Sequence, residues 1–101
     1  MTTWFVSRHP GALRWMQAHG PAFDQHVPHL NPAQVQPGDT VIGTLPVNLA
    51  AQVCTRGAAY WHLTLEMPSD ARGRELSAQE LQALGATLQR YTVCLHPPEH
   101  P

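Results

Sequence analysis

The sequence contains no lysine, and charged side chains of either sign are scarce. Its six basic residues are all arginine, and charged residues make up 13% of the chain, with a formal net charge of −1. A protein that binds DNA duplexes through their phosphates needs a basic face, so this composition argues against general duplex binding. Each arginine nevertheless offers a planar donor fork that suits a single phosphate group.

Cysteines and long apolar runs are also scarce. Cys54 and Cys94 are the two cysteines, and they form no C-x-x-C motif. We therefore expect reduced, mostly buried thiols in a cytoplasmic protein. No stretch is long enough to cross a membrane, and the start of the chain lacks the basic region and apolar run of a signal peptide. We expect neither a leader nor a membrane partner.

The usual phosphate-binding fingerprints are absent, since neither G-x-G-x-x-G nor G-x-x-x-x-G-K-[ST] occurs. His26 and His29 are candidate metal ligands, but they are three residues apart in a predicted strand and therefore point to opposite faces. Because no cysteine or carboxylate nearby completes a ligand set, we predict neither a metal nor a cofactor.

The patterning of the sequence predicts a single α/β domain over residues 1–95 and a frayed, Pro- and His-rich tail over residues 96–101. Four strands are predicted at 3–7, 24–30, 40–44 and 60–65. Three helices are predicted at 10–19, 46–56 and 77–91, with a helical turn at 32–35 and a further short edge strand at 92–95. Alternating strands and helices favour a mostly parallel four-stranded sheet. Its first strand is central, with the second on one side and the third and fourth on the other.

Two of the helices carry readable apolar stripes. In the first helix the residues predicted to face the sheet are Leu13, Met16 and Gln17, whereas Trp15 lies off this stripe. Trp15 is either exposed at an interface or laid over the edge of the core. In the second helix the predicted core stripe consists of Val47, Leu49, Ala50, Val53 and Cys54.

The third predicted helix rests on a capping box and an apolar spacing. Ser77 is the expected N-cap, and Glu80 follows it three residues later. The helix extends to about Tyr91 because one face collects Leu81, Leu84, Leu88 and Tyr91.

The chain is organised around the stretch from Trp4 to Ala12, where a buried strand gives way to a polar turn. The residues of this turn are Ser7, Arg8, His9, Pro10 and Gly11. Proline suits the first position of a helix, and the turn presents backbone N–H groups together with the Arg8 guanidinium, which suits an anion. The competing interpretation is an ordinary strand–helix turn in which Arg8 is solvated and His9 caps the helix.

A second strand–proline–helix turn follows the third predicted strand and consists of Gly43, Thr44, Leu45 and Pro46. Gly43 permits close approach by a neighbouring backbone or a ligand, and Pro46 starts the next helix. Both turns lie at the carboxyl edge of the predicted sheet, beside the point where the strand order reverses. Open α/β sheets bind ligands there, so we predict an anion or nucleotide pocket between the two turns.

Three charged residues near the fourth strand extend this predicted pocket. Glu66 lies at the carboxyl end of the strand, and Arg72 and Arg74 flank Gly73 in the loop that follows. We predict that the two arginines close over a bound phosphate, with Gly73 as the hinge. The competing interpretation is a solvated, charged loop.

Three stretches of the chain resemble a small family of CRISPR-accessory proteins that accompany type III systems. They are Trp4–Ala12, Gly38–Pro46 and Arg72–Leu76, and the resemblance extends from Trp4 to about Tyr91. The family is similar to the CARF nucleotide-sensing domains and related to small proteins regarded as ring nucleases. The resemblance implies a Rossmann-like homodimer that binds a cyclic oligoadenylate, with the tetramer as the expected ring, and cleaves it to switch off the immune signal.

The implied cleavage is attack by a ribose 2′-OH on the adjacent phosphorus, which leaves a 2′,3′-cyclic phosphate and needs no metal. Arg8 is expected to hold the non-bridging oxygens, His9 to act as acid or base, and Ser7 to hold a phosphate oxygen. Two alternatives stay open. One is a protein that sequesters the nucleotide without cleaving it, and the other is an interaction module of the CRISPR complex.

Overall fold

The computed structural model describes residues 1–64, 78–83 and 85–97, which form a small α/β domain built on a five-stranded mixed sheet. Its strands are β1 (Thr3–Val6), β2 (Gln25–Val27), β3 (Thr40–Gly43), β4 (Ala59–Thr64) and β5 (Thr87–Tyr91). Its helices are α1 (Pro10–His19), α2 (Val47–Thr55) and the short α3 (Ala78–Ala83), and a 3₁₀ turn spans Pro32–Gln34.

The strands lie in the order β2-β1-β3-β4-β5. β1 pairs in parallel with both β2 and β3, and β3 pairs in parallel with β4, so the predicted order of the first four strands is confirmed. The connection from β2 to β3 crosses β1 with residues 28–39, which is about the dozen residues that a parallel crossover needs. The 3₁₀ turn in this connection contacts α2.

The fifth strand corrects the predicted four-stranded sheet and the predicted helix to Tyr91. α3 ends at Ala83, Gly85 has a φ of 76°, and β5 pairs antiparallel with β4. A φ in the left-handed region suits glycine and ends a helix. Leu88 packs against one core cluster, while Tyr91 is 48% exposed. The leucine spacing therefore imitated a helical face where the chain forms a strand.

Other predicted boundaries are also longer than the observed elements. β2 ends at Val27, because Pro28 has no N–H to donate to the ladder, although its predicted place at the sheet edge is confirmed. Residues 92–97 form no strand, and residues 98–101 of the predicted tail lie outside the described part of the chain. Cys54 is half-buried and Cys94 is exposed, and both thiols are free, so the expectation of mostly buried thiols fails for Cys94.

One face of the sheet packs against α1, which in turn contacts α3. Phe5, Ile42 and Leu63 belong to this core cluster together with residues of α1. Trp15 is 5% exposed, and its Nε1 donates to Gln82 Oε1 of α3 at 2.8 Å. Trp15 is therefore a core residue that joins the two helices and is not an exposed aromatic.

The other face packs against α2. Val41 and Tyr60 are buried here with Ala50 and Val53, which confirms these two members of the predicted stripe. Val47 is 72% exposed, so its predicted place in the core is wrong. It is the first residue of α2, just past the turn by which the chain leaves the sheet.

A buried carboxylate ties together the amino edge of the sheet. Asp39 is 3% exposed. Its oxygens accept from the N–H of Thr2 at 2.8 Å, the N–H of Gln36 at 3.0 Å and Trp4 Nε1 at 3.2 Å. These donors, led by the Gln36 amide, lower the pKa of Asp39 although burial opposes them. The charged carboxylate thus joins the starts of β1 and β3.

Candidate functional site

A cleft of about 540 Å³ opens at the carboxyl edge of the sheet, where β1 and β3 end. It is bordered by two turns, each of which leads from a strand into the next helix. We name the turn from Ser7 to His9 the first wall and the turn from Thr44 to Pro46 the second wall. The volume lies within the range of about 300–1,000 Å³ that small-molecule sites occupy.

Most of the site residues predicted from the sequence line this cleft. They are Ser7, Arg8, His9, Gly43, Thr44, Leu45 and Pro46. Pro10 and Gly11 lie in the first turn of α1 and are not among the lining residues. Glu66, Arg72 and Arg74 lie outside the described residues, so their expected roles stay predictions.

In the first wall, the side chain of His9 caps α1. Its Nδ1 accepts from the N–H of Gly11 at 3.0 Å and the N–H of Ala12 at 3.3 Å. Because both amides can only donate, Nδ1 must be an acceptor, and a neutral His9 ring carries its proton on Nε2. The interpretation of His9 as a helix cap is confirmed. Two amides that were expected to face an anion are thus satisfied within the chain.

Further hydrogen bonds fix the backbone of the first wall. Ser7 Oγ accepts from the His9 N–H at 3.0 Å, and the Ser7 N–H donates to Val27 O at 3.0 Å. His26 Nε2 lies 3.0 Å from Ser7 O, and since a carbonyl only accepts, the imidazole donates. The His26 ring also stacks on Phe5, with the ring centroids 5.5 Å apart. His26 therefore braces the first wall from β2.

The second wall is held by a phenol from a neighbouring strand. Tyr60 is 2% exposed, and its hydroxyl oxygen accepts from the Leu45 N–H at 2.9 Å and lies 3.2 Å from Gly43 O. The same oxygen lies 2.5 Å from His62 Nδ1. A hydroxyl has one proton and two lone pairs, so every partner is satisfied when His62 Nδ1 donates and Gly43 O accepts. Burial raises the pKa of Tyr60, which keeps the phenol protonated.

The strands β1 and β3 lie close together at Gly43, the residue that precedes the second wall. A side chain there would place its Cβ 2.7 Å from Val6 O and 3.3 Å from Val6 Cβ. Atoms cannot sit this close without a shift of β1 or β3. Gly43 therefore permits the close approach of the neighbouring strand, which is one of the two roles that its position in the sequence predicts. Next to it, Thr44 Oγ1 donates to Leu63 O at 2.9 Å and ties the second wall to β4.

The helices behind the two walls begin differently. α1 is capped by His9, whereas no side chain among the described residues caps α2, whose N-cap is Pro46. The positive end of the α2 dipole therefore lies at the cleft, together with the exposed guanidinium of Arg8. Most of the remaining lining is apolar. This combination suits a ligand that carries both a phosphate and an apolar ring.

Several lining residues were missed by reasoning from the sequence. They are Val6, Ala12, Pro28, His29, Leu30, Leu49 and Leu63. His29 was considered only as a metal ligand, although the strand order contained a signal for it. β2 lies parallel to β1 with Val27 opposite Val6, so the residues after both strands reach the same edge. His29 thus arrives beside the first wall.

A comparison with known protein families identifies the chain. The family model described as "Putative CRISPR-associated protein (Cas_VVA1548)" matches residues 4–94, a span that includes both walls. The chain belongs to this CRISPR-associated family. No curated protein and no solved structure matches it. The expected membership of a CRISPR-accessory family is confirmed at this level, and the relationship to ring nucleases stays a prediction.

The described residues offer no metal site of the usual kind. Among them, no three His, Cys, Asp or Glu side chains stand close enough together to hold a metal ion. His26, one of the two candidate ligands, is engaged with Ser7 O. Within the same described ranges, no helix is long and apolar enough to span a bilayer.

Proposed function

We propose that this protein binds a cyclic oligoadenylate in the cleft between the two walls and cleaves it by attack of a ribose 2′-OH. The main support is that Ser7, Arg8 and His9 line a single cleft in a chain that belongs to a CRISPR-associated family. A guanidinium binds phosphate oxygens through two parallel hydrogen bonds, and an apolar lining suits nucleobases. The domain is then a small Rossmann-like, CARF-like receptor that acts in the cytoplasm and removes the signal.

The size of the cleft supports a homodimer within this proposal. A volume of about 540 Å³ would hold only part of a ring of four nucleotides. A second copy, related by a two-fold axis, would present a second Arg8 to the other half of the ring. We expect the first wall to lie near this axis. A monomeric mass in solution, measured both without and with the nucleotide, would contradict the dimer.

The proposed cleavage involves two proton transfers and exchanges one phosphorus–oxygen bond for another. The 2′-oxygen bonds to phosphorus, the bond from phosphorus to the 5′-oxygen breaks, and the 2′-hydroxyl proton passes to a base. The 5′-oxygen takes a proton from water, so the products are a 2′,3′-cyclic phosphate and a free 5′-hydroxyl. Arg8 would stabilise the charge that grows on the non-bridging oxygens, and the Ser7 hydroxyl would donate a hydrogen bond to one of them.

Sequestration without cleavage is a second candidate function, and the His9 cap favours it. The Nδ1 atom that accepts from Gly11 and Ala12 cannot also take a proton from a substrate. A protein whose first wall is committed in this way would still bind a phosphate through Arg8.

Incubation with cyclic tri-, tetra- and hexa-adenylate, followed by chromatography of the products, tests the proposal. We expect linear products that end in a 2′,3′-cyclic phosphate, formed fastest from the tetramer and at the same rate with and without EDTA. An intact ring that co-elutes with the protein would favour sequestration. The absence of binding to all three rings would contradict both functions.

A further inference from the structure

We infer that His29 is the base that accepts the 2′-hydroxyl proton in the cleft. This inference rests on the proposed cleavage and deepens it, because it assigns the proton transfer to one residue. Among the described lining residues, only His9 and His29 carry groups that exchange protons near neutral pH. Within the described lining, the choice of base therefore lies between two imidazoles.

The cap removes His9 from this choice. Its Nδ1 accepts from two backbone amides, and the proton of the neutral ring is therefore on Nε2. A ring in this tautomer has no lone pair left to accept a proton at Nε2, and protonation of Nδ1 would break both capping bonds. While the cap is in place, His9 is a donor of a hydrogen bond and not an exchanger of protons.

His29 lines the cleft from the segment that follows β2. It follows Pro28 directly beyond β2, and the Ser7 N–H donates to Val27 O, which ties this segment to the first wall. His29 is exposed and lines the same cleft as Arg8. The charged or titratable groups around it in the described lining are Arg8 and His9. The lining residues from β3, α2 and β4 do not ionise near neutral pH.

The step balances with His29 as the base. A neutral imidazole nitrogen of His29 takes the 2′-hydroxyl proton as the 2′-oxygen bonds to phosphorus and the bond to the 5′-oxygen breaks. Water gives a proton to the 5′-oxygen, and the imidazolium returns its proton to solvent. The reaction consumes no metal and no redox partner. Because a protonated base cannot accept a second proton, activity should fall at low pH.

Single-turnover cleavage of cyclic tetra-adenylate by the parent protein, His29→Ala and His96→Ala tests the inference, with binding measured separately. His96 is an exposed histidine of the described tail and serves as the matched control. We expect His29→Ala to bind within about threefold of the parent but to cleave roughly 10²–10⁴-fold more slowly, with the low-pH fall in rate lost. Added imidazole should restore part of the rate, and His96→Ala should behave as the parent.

Cleavage by His29→Ala at the parent rate, with the low-pH fall intact, would overturn the inference while leaving the proposed function standing. Failure of the parent protein to cleave any ring would overturn both. Long-range ¹H–¹⁵N NMR of the histidine rings gives a readout without nucleotide. We expect His9 to show the Nε2–H tautomer, and protonation of His9 at Nδ1 at neutral pH would also overturn the inference.

Discussion

The two walls of the cleft share one sequence pattern, a strand followed by a polar turn, a proline and a helix, yet they are built differently. The first wall caps its own helix, because His9 Nδ1 accepts from two amides of α1. The second wall has no such cap and depends on the Tyr60 hydroxyl, which reaches it from β4. The polar groups of the first wall are thus largely committed to structure. The charge that the cleft offers comes from Arg8 and the start of α2.

The largest effect on stability is expected at the amino edge of the sheet, opposite the cleft. A substitution there should destabilise the fold without changing either wall, so it serves as a reference for both. Asp39→Ala removes the acceptor of three N–H donors and should lower the free energy of unfolding by about 2–5 kcal/mol. Denaturant unfolding measures this loss, and NMR amide shifts in both walls should stay close to those of the parent. Large shifts in one wall would show that the edges are coupled.

The lowered pKa of Asp39 also predicts how the free energy of unfolding depends on pH. The pKa of Asp39 in the folded protein lies below the unfolded value of about 3.9. The carboxylate therefore makes its full contribution to the free energy of unfolding above this value. That contribution is lost as the pH falls through the folded pKa. The parent should therefore lose more stability than Asp39→Ala as the pH falls below about 4. Parallel losses in the two proteins would contradict a charged Asp39 in the folded state.

The second wall should be broken by the loss of one hydroxyl. Tyr60→Phe leaves the Leu45 N–H and Gly43 O without this partner, and it should lower the free energy of unfolding by about 1–3 kcal/mol. Tyr91→Phe, at a half-exposed position, is the matched control and should change little. Amide shifts should move in the second wall and not in the first. Equal stability of the two variants would show that the phenol does not hold the wall.

Tyr60 should also affect how the free energy of unfolding changes at alkaline pH. Its pKa is raised by burial, so the neutral phenol stabilises the fold below the unfolded pKa of about 10 and loses this effect as the pH rises through the folded pKa. Unfolding measured above pH ~10 should therefore show a steeper loss in the parent than in Tyr60→Phe. The reverse order would contradict a neutral phenol in the folded protein.

The first wall should show the smallest loss, and a second substitution should restore it. His9→Ala removes a helix cap and should cost about 1 kcal/mol, whereas His9→Asn supplies a side-chain oxygen that caps well and should regain most of it. Thermal or denaturant unfolding of the two variants gives the comparison. If His9→Ala and His9→Asn are equally stable, the cap contributes nothing and the walls do not differ as described.

Much of the fold and half of the site follow from local pattern in the sequence. Proline after a polar turn marked both walls, and the strand order placed them at one edge. Predictions from local pattern failed for residues whose contacts come from distant parts of the chain. The leucine spacing around Leu88 imitated a helix, because pairing with β4 is not visible locally. Tyr60 and His29 were missed as parts of the site, because their roles arise from neighbouring strands.

Affinity for cyclic tetra-adenylate in two arginine variants tests the cleft most directly. Arg8 lines the cleft, whereas Arg56 is exposed at the other end of α2. A charge-assisted hydrogen bond contributes about 1.5–3 kcal/mol, so Arg8→Ala should weaken binding by at least about tenfold. Arg56→Ala should bind within about twofold of the parent, because surface charges far from a ligand are screened. Parent-like binding by Arg8→Ala, or an equal loss in both variants, would contradict a ligand site between the two walls.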